Sequence, residues 1–144
     1  MPRLVSALFC AVALLTTACQ KRTPEQPEPA GSLEGTWRLG LTEPVIYDRQ
    51  NQAVATYPPQ AGILPFTQVT FTGTDLTFFH EQSTLRTTTA YVHAGDQVTC
   101  PLPFASFTIR KLTTRQLDLY QRGEYLPIGA NSLRTDYLMH FERL

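Results

Sequence analysis

The sequence predicts an all-β fold, a small antiparallel up-and-down barrel of eight strands, over residues 33–144. Eighteen of the 20 threonines follow Cys19, and they are interleaved with Phe, Tyr, Val and Ile, which suit a pleated sheet. Apolar and polar residues alternate with a period of two in several segments, and no window sustains the 3.6-residue period of a helix. A chain of 144 residues is about one domain, so one fold carries all functions of the protein.

The alternation locates the strands in order. The segment "TWRLGL" puts Trp37, Leu39 and Leu41 on one face, and "TQVTFTGTDLTFF" is typical of a hairpin that turns at Gly73. Later segments turn at "HAGD" and "LTTR". The expected strands cover residues 36–41, 52–57, 66–72, 75–80, 84–93, 96–109 with a break at "CPLPF", 116–121 and 134–143.

Strand parity predicts how the barrel closes. When an even number of alternating strands forms a closed barrel, the last strand pairs antiparallel with the first. Arg143 then lies beside Trp37, the only tryptophan, with both side chains directed inward. A guanidinium over the indole would seal this end of the barrel. A two-sheet sandwich is the main alternative architecture.

Residues 1–18 are predicted to be a lipoprotein signal peptide. Arg3 precedes an apolar stretch from Leu4 to Leu15, which is too short to span a bilayer that needs about 20 residues in a helix. The ending "LLTTAC" resembles the lipobox of bacterial lipoproteins, in which the cysteine is diacylated and the chain is cut before it. This resemblance implies lipidation of Cys19. Ordinary secretory cleavage after Ala18 is the alternative.

Residues 19–32 are predicted to be a disordered, proline-rich tether. The segment "QKRTPEQPEPAGS" has no bulky apolar residue and cannot offset the entropy cost of ordering. It would hold the domain up to about 40 Å from the membrane. The predicted localisation is the cell envelope, with the lipid as the membrane anchor. Gln20 is not the aspartate that retains some lipoproteins at the inner membrane, which favours the outer membrane.

Three segments together resemble a known family. They are "LEGTWRL", "IRKLTTRQLDLY" and the terminal aromatic strand that ends near an arginine, and they are similar to the short lipocalin-like domains of Bacteroidetes-type lipoproteins. The resemblance implies a lipocalin-like barrel that binds or carries a small hydrophobic ligand. Avidin-like barrels and the small domains of heat-shock-associated lipoproteins also open with Gly-Thr-Trp, so the opening alone does not choose among them.

Aromatic and apolar residues are the candidates for ligand binding. Two are tyrosines in long loops at the open mouth, where amphipathic rings suit a small apolar ligand, although they would equally cap the core. The others are expected to line the interior. The predicted ligand-binding residues are Leu39, Tyr47, Phe71, Phe78, Tyr91 and Tyr125. For the strand at 84–93, alternation leaves open whether the face with Tyr91 or the face with Val92 points inward.

Other classes of function have little support in the sequence. The 12 basic and 12 acidic residues are scattered, which argues against nucleic-acid binding. His80, His93 and His140 form no metal-ligand motif, and no catalytic or cofactor motif occurs. Cys100 remains as a lone, buried thiol without a disulfide. The alternative function is a protein-interaction or inhibitor barrel that docks to an envelope partner, which a packed interior would favour.

Overall fold

Every regular element in the described part of the chain is a β-strand. The computed structural model describes residues 30–101, 106–128 and 131–144. Their strands are Gly35–Tyr47 (β1), Ala53–Thr56 (β2), Gln68–Phe71 (β3), Asp75–His80 (β4), Leu85–Ala90 (β5), Val92–Ala94 (β6), Gln97–Thr99 (β7), Phe107–Leu112 (β8), Gln116–Gln121 (β9), Tyr125–Ile128 (β10) and Asn131–Arg143 (β11). The predicted all-β class is confirmed.

One antiparallel sheet contains all of these strands and curls into a nearly closed barrel. Its order is β5-β4-β3-β1-β11-β9-β8-β7-β6. The two strands at the ends of this path, β5 and β6, are consecutive in the chain and are joined through Tyr91 alone. The ends of the sheet therefore meet at Tyr91, whose amide donates to the Thr74 carbonyl at 2.9 Å.

The first and last strands form the spine of the barrel. They pair from Trp37↔Arg143 at one end to Tyr47↔Arg134 at the other, as the closed-barrel prediction requires. β3 pairs with the beginning of β1 and β2 pairs with its end. β9 pairs with the end of β11 and β10 with its beginning. The sheet order around Tyr47 and Arg134 is therefore β2-β1-β11-β10, and we call these four strands the terminal sheet.

The predicted count of eight strands is wrong, because two predicted strands are divided. The strand expected at 84–93 changes neighbour at Tyr91, pairing with β4 before it and with β7 after it. The strand expected at 96–109 is divided into β7 and β8 around the "CPLPF" break. Nine strands lie on the main path, and β2 and β10 pair beside it.

Prolines explain two further differences from the predicted strands. β1 continues through Pro44 to Tyr47, beyond the expected end at residue 41. Pro44 has no N–H, but its carbonyl still accepts from the Tyr57 amide at 3.2 Å, so the ladder survives there. β10 contains Pro127 and is not among the predicted strands; the proline is tolerated there because β10 pairs with β11 alone among the described strands and lies at an edge of the sheet.

A β-bulge at Gly40 corrects the predicted face of Leu41. The register of β1 against β11 shifts between Leu39 and Leu41. Trp37 therefore faces inward before the bulge and Thr42 faces inward after it, and both are buried. Leu41 is exposed on the opposite face, since an added residue reverses the alternation.

The inward faces form one hydrophobic core. Thr89 and Tyr91 are buried whereas Val92 is exposed, which answers the question that alternation left open. Cys100 is buried, and burial raises the pKa of its thiol. The buried apolar residues are Leu33, Trp37, Val69, Phe71, Leu76, Phe78, Tyr91, Val98, Cys100, Phe107, Leu117, Leu119, Met139 and Phe141.

Truncation of a core leucine tests this packing. Leu117 is 0% exposed and Leu126 is 61% exposed. We expect Leu117→Ala to lower the free energy of unfolding by about 2–5 kcal/mol, through lost burial and the cavity that remains. The matched Leu126→Ala should change it by less than about 0.5 kcal/mol. Urea denaturation followed by tryptophan fluorescence measures both, and equal effects would contradict the described core.

Candidate functional site

The side chains expected to line a ligand cavity are brought together inside the barrel and contact one another. The rings of Phe71 and Tyr91 meet edge to face, with centroids 5.3 Å apart. Phe78 and Phe107 lie 6.4 Å apart, within the range of a ring contact. β4 and β8, which carry these two rings, are not neighbours in the sheet, so this contact crosses the interior. Leu39 is partly buried against the same core.

A cation over the indole seals one end of the barrel. The guanidinium carbon of Arg143 lies 4.5 Å from the centroid of Trp37, and such contacts contribute about 0.5–2 kcal/mol. Trp37 Nε1 donates to the Leu33 carbonyl at 2.9 Å, and Arg143 Nη2 donates to the Glu34 carbonyl at 2.9 Å. Gly35 has a φ of +130°, and a Cβ there would lie 3.4 Å from the Arg143 guanidinium carbon. These contacts hold residues 33–35, where the chain enters β1, across this end of the barrel.

Tyr47 and Tyr125 lie on the outer face of the terminal sheet, where they flank an arginine. Arg134 is paired with Tyr47 on one side and with Tyr125 on the other. Side chains directly opposite one another share a face, and the guanidinium lies 4.9 Å and 5.0 Å from the two ring centroids. Arg134 is 4% exposed. These tyrosines therefore enclose a residue of their own chain.

The charge of Arg134 is balanced by Asp136, two residues along the same strand. Asp136 is 1% exposed and accepts from Arg134 Nε at 2.7 Å and from Nη2 at 3.0 Å. It also accepts from the Tyr120 hydroxyl and from the Gly123 amide at 3.1 Å. The pair is bidentate, and its carboxylate has four donors, as a buried carboxylate needs.

Two loops cover this ion pair from outside. Asn51, in the β1–β2 loop, has a φ of +58° and accepts from Arg134 Nη1 at 2.9 Å. Gly123, in the β9–β10 loop, lies so close to Thr135 that a Cβ would fall 2.1 Å from the Thr135 carbonyl oxygen. Only glycine fits there. We call Tyr47, Asn51, Tyr120, Gly123, Tyr125, Arg134 and Asp136 the arginine cluster.

The arginine cluster shifts the proton affinity of its members. Burial and the hydrogen bond to Asp136 raise the pKa of Tyr120 to about 12. Burial opposes the charge of Asp136, but donors from Arg134, Tyr120 and Gly123 outweigh it and lower the pKa of this carboxyl. Each nitrogen of the guanidinium has an acceptor within the chain. The arrangement therefore locks the two loops to the sheet and uses four of the five N–H donors of Arg134 within the chain.

A second polar group lies further along the same outer face. His140 on β11 has Nδ1 2.9 Å from Asp118 Oδ1 on β9 and Nε2 3.1 Å from Glu43 Oε1 on β1. Both ring nitrogens can donate at once only when the imidazole is protonated. This group therefore connects three strands.

The other two histidines of the sequence contact backbone carbonyls. His80 Nδ1 contacts the Pro65 carbonyl oxygen at 2.9 Å and His93 Nε2 contacts that of Gly95 at 2.9 Å. Among the residues that the structure describes, no group of three or more His, Cys, Asp or Glu side chains is arranged so that it could hold a metal ion.

Two of the clefts on the surface of the barrel are lined by described residues. One, of about 240 Å³, borders His140, Lys111, Gln116 and Glu142 and reaches Phe141 of the core. The other, of about 500 Å³, lies between the loop at 62–65 and Glu81.

The fold and these groups define a structural class, an antiparallel all-β sheet that is nearly closed into a barrel around a hydrophobic core. Comparison with protein-family models, with curated proteins and with solved structures finds no match. A membrane-spanning helix, which would have to be long and apolar, does not occur in residues 30–101, 106–128 or 131–144. Cys19 and the tether predicted at 19–32 fall mostly outside the described residues, of which the first is Ala30.

Sequence reasoning missed the ion pair of the arginine cluster, although the signal was present. In "LRTDYLMHF", Arg134 and Asp136 share the face opposite Tyr137 and Met139, which face the core. Opposite charges two residues apart on the outward face of a strand can pair directly. Their burial depends on two loops whose positions no local pattern indicates.

Breaking the ion pair should be costly. In Asp136→Asn the guanidinium stays buried without a counter-charge, and we expect a loss of about 3–5 kcal/mol in the free energy of unfolding. Asp96 is exposed, so Asp96→Asn should change it by less than about 0.5 kcal/mol. Chemical denaturation at neutral pH compares the variants. A loss for Asp136→Asn as small as the control's would mean that the pair is not buried as described.

The free energy of unfolding should depend on pH in two ranges, because the pKa values of Asp136 and Tyr120 are shifted in the folded state. Because the pKa of Asp136 is lowered, its contribution is present above the ordinary value near 4 and is lost as the pH falls through the folded value. Because the pKa of Tyr120 is raised to about 12, its contribution is present below pH of about 10 and is lost as the pH rises through the folded value.

The variant Tyr120→Phe tests separately how stability depends on pH in the alkaline range. The difference in unfolding free energy between wild type and Tyr120→Phe should be constant up to pH of about 10 and should shrink above it. Urea denaturation across that range measures the difference, in which the other tyrosines cancel. A difference that grows with pH would contradict the assigned hydrogen bond.

Proposed function

We propose that the protein is a lipid-anchored cell-envelope lipoprotein whose barrel is a binding module for another protein. The observation that carries this proposal is the contact of Phe78 with Phe107 across the barrel interior. Where opposite walls of a small barrel touch through their side chains, the interior is a core. A protein partner would then bind to the outer surface and loops of the barrel. This is the second of the two functions that the sequence favours, and carriage of a small hydrophobic ligand is the competing one.

The anchor is supported by the N-terminal sequence. The segment leading to Cys19 and the proline-rich tether after it are the parts a lipoprotein needs upstream of a folded domain. Acyl chains contribute about 0.8 kcal/mol for each buried methylene, so two or three of them hold a protein at a membrane. We place the anchor in the outer membrane, because Gln20 follows the cysteine. A tethered domain meets envelope partners at a raised effective concentration.

The outer face is suited to recognition because it is rigid. The arginine cluster fixes the β1–β2 and β9–β10 loops, and His140 links three strands beside it. A surface held by internal hydrogen bonds loses little conformational entropy when a partner binds. Tyr125 and Leu126 are exposed at the same end of the molecule, and tyrosine is among the residues enriched at protein interfaces.

Mass spectrometry distinguishes a binding module from a carrier. The full-length protein is produced in a bacterial host that acylates lipoproteins and is purified from its membranes. We expect a mature chain that begins at a diacylated Cys19 and an organic extract without a stoichiometric small molecule. Cys19→Ala is the control for lipidation. A hydrophobic compound at one equivalent per chain would overturn the binding-module proposal in favour of a carrier.

Cross-linking in intact cells supplies the positive test of protein binding. A photoreactive amino acid is placed at Leu126 or at Val92, which are both exposed, and at buried Leu117 as the matched control. We expect one discrete adduct with an envelope protein from an exposed position and none from the buried one. Adducts with lipid alone would contradict a protein partner.

A further inference from the structure

A continuous stretch of the chain carries no charge, and it includes an edge of the sheet. No Asp, Glu, Lys or Arg occurs from Gln50 to Thr74. Within this stretch Val54, Tyr57 and Ile63 are exposed to 54%, 47% and 39%. Natural sheet edges are usually protected by charged side chains, by proline or by a cover. An exposed apolar edge without charge is therefore a candidate for binding another chain.

The backbone of β2 has hydrogen-bonding groups that point away from the barrel. The Tyr57 amide donates to the Pro44 carbonyl, and Ala55 is opposite Ile46, so these residues of the edge face β1. Successive residues of a strand point their N–H and C=O groups to opposite sides. The backbone groups of Thr56, between Ala55 and Tyr57, therefore point outward. A β-bulge at Val54 shifts the register, and beyond it the Asp48 amide donates to the Gln52 carbonyl, so Ala53 is the other outward residue. Among the described residues, β2 pairs with β1 alone.

From these observations we infer that the outer edge of β2 is the docking site for an extended, uncharged peptide segment of the partner protein, which adds to the sheet as a further strand. The inference rests on the proposed function and specifies its surface. Strand addition draws affinity from main-chain hydrogen bonds and specificity from alternate side chains. The exposed apolar side chains beside such a strand are Val54 and Tyr57.

Two other edges of the sheet are less suited to such an addition. β10 contains Pro127, which has no N–H for a new strand. On β5 the amide of Tyr91 faces β4, so by alternation the backbone of Arg86 lies at the other edge, and its side chain is charged. The outward residues of β2, Ala53 and Thr56, are neither proline nor charged. This contrast favours β2 as the docking edge.

The size and chemistry of the edge indicate a peptide segment as the occupant. β2 has four residues, and pairing two such edges would bury far less than the roughly 1,600 Å² of a stable protein–protein interface. That argues against a second copy of this chain. A charged peptide would lose solvation beside Val54 and Tyr57 without gaining a counter-charge, since none lies in this stretch. An uncharged, extended segment meets both conditions.

Proline at position 56 tests the edge with little effect on the fold. The Thr56 N–H points outward, so Thr56→Pro removes a donor for the new strand and no bond to β1. Ala55 is already in the extended conformation that a following proline requires. Thr56→Val keeps the N–H and is the matched control. Val54→Lys keeps every backbone donor and adds a charge to the edge, so it tests the site even if the proline variant does not fold.

The probe is a displayed library of random heptapeptides, selected against the full-length lipidated protein in detergent. We expect enrichment of uncharged sequences whose affinity falls about fivefold or more with Thr56→Pro, the size expected for one lost hydrogen bond. Val54→Lys should weaken binding by at least as much, and Thr56→Val should keep it within about twofold.

Each other result overturns the inference. Peptides that bind both edge variants as well as wild type would place the site elsewhere and leave the proposed function intact. No enrichment would remove β2 as a docking edge, while the cross-linking experiment still decides whether a protein partner exists. A dimer in sedimentation that Thr56→Pro abolishes would make a second copy the occupant in place of a peptide.

Discussion

The antiparallel pairing of β1 with β11 is the constraint on which the rest of the structure depends. It joins the two ends of the folded chain and fixes the register at both ends of the barrel, from Trp37 opposite Arg143 to Tyr47 opposite Arg134. A slip of one residue would move every side chain of a strand to the other face. Arg143 would then leave the indole and Met139 and Phe141 would leave the core, so the indole contact and the core packing both oppose the slip.

The bulge at Gly40 makes this register compatible with both ends. Before it, Trp37 faces the core; without an added residue, Tyr47 would face the core as well, since both are odd positions on one strand. β11 has no such shift against β9, so Arg134 remains on the outer face while Phe141 faces inward. The bulge turns Tyr47 outward to meet Arg134. One irregular residue thus allows the same two strands to build a sealed core at one end and the arginine cluster at the other.

The bulge is also a feature that the sequence pattern could not predict. Alternation and parity were sufficient for the all-β class and for the pairing of the first and last strands. They failed at Leu41, because a glycine that permits a bulge does not by itself require one. They failed at β10, where Pro127 is acceptable only because the strand lies at an edge. The arginine cluster depends on loops separated by more than 70 residues, and no local pattern encodes such a contact.

Closing a sheet into a barrel satisfies most of its backbone groups internally, and apolar side chains that pack together inside it offer few polar groups for recognition. Phe78 and Phe107 pack in this way, and acceptors within the chain hold four of the five N–H donors of Arg134 on the terminal sheet. Specific recognition needs groups that are ordered and still unpaired. In the described residues these are found where the barrel departs from closure, in strands that pair with the spine on one side only. β2 is such a strand, and because the arginine cluster holds the loop beside it, its outward amides are ordered before any partner arrives.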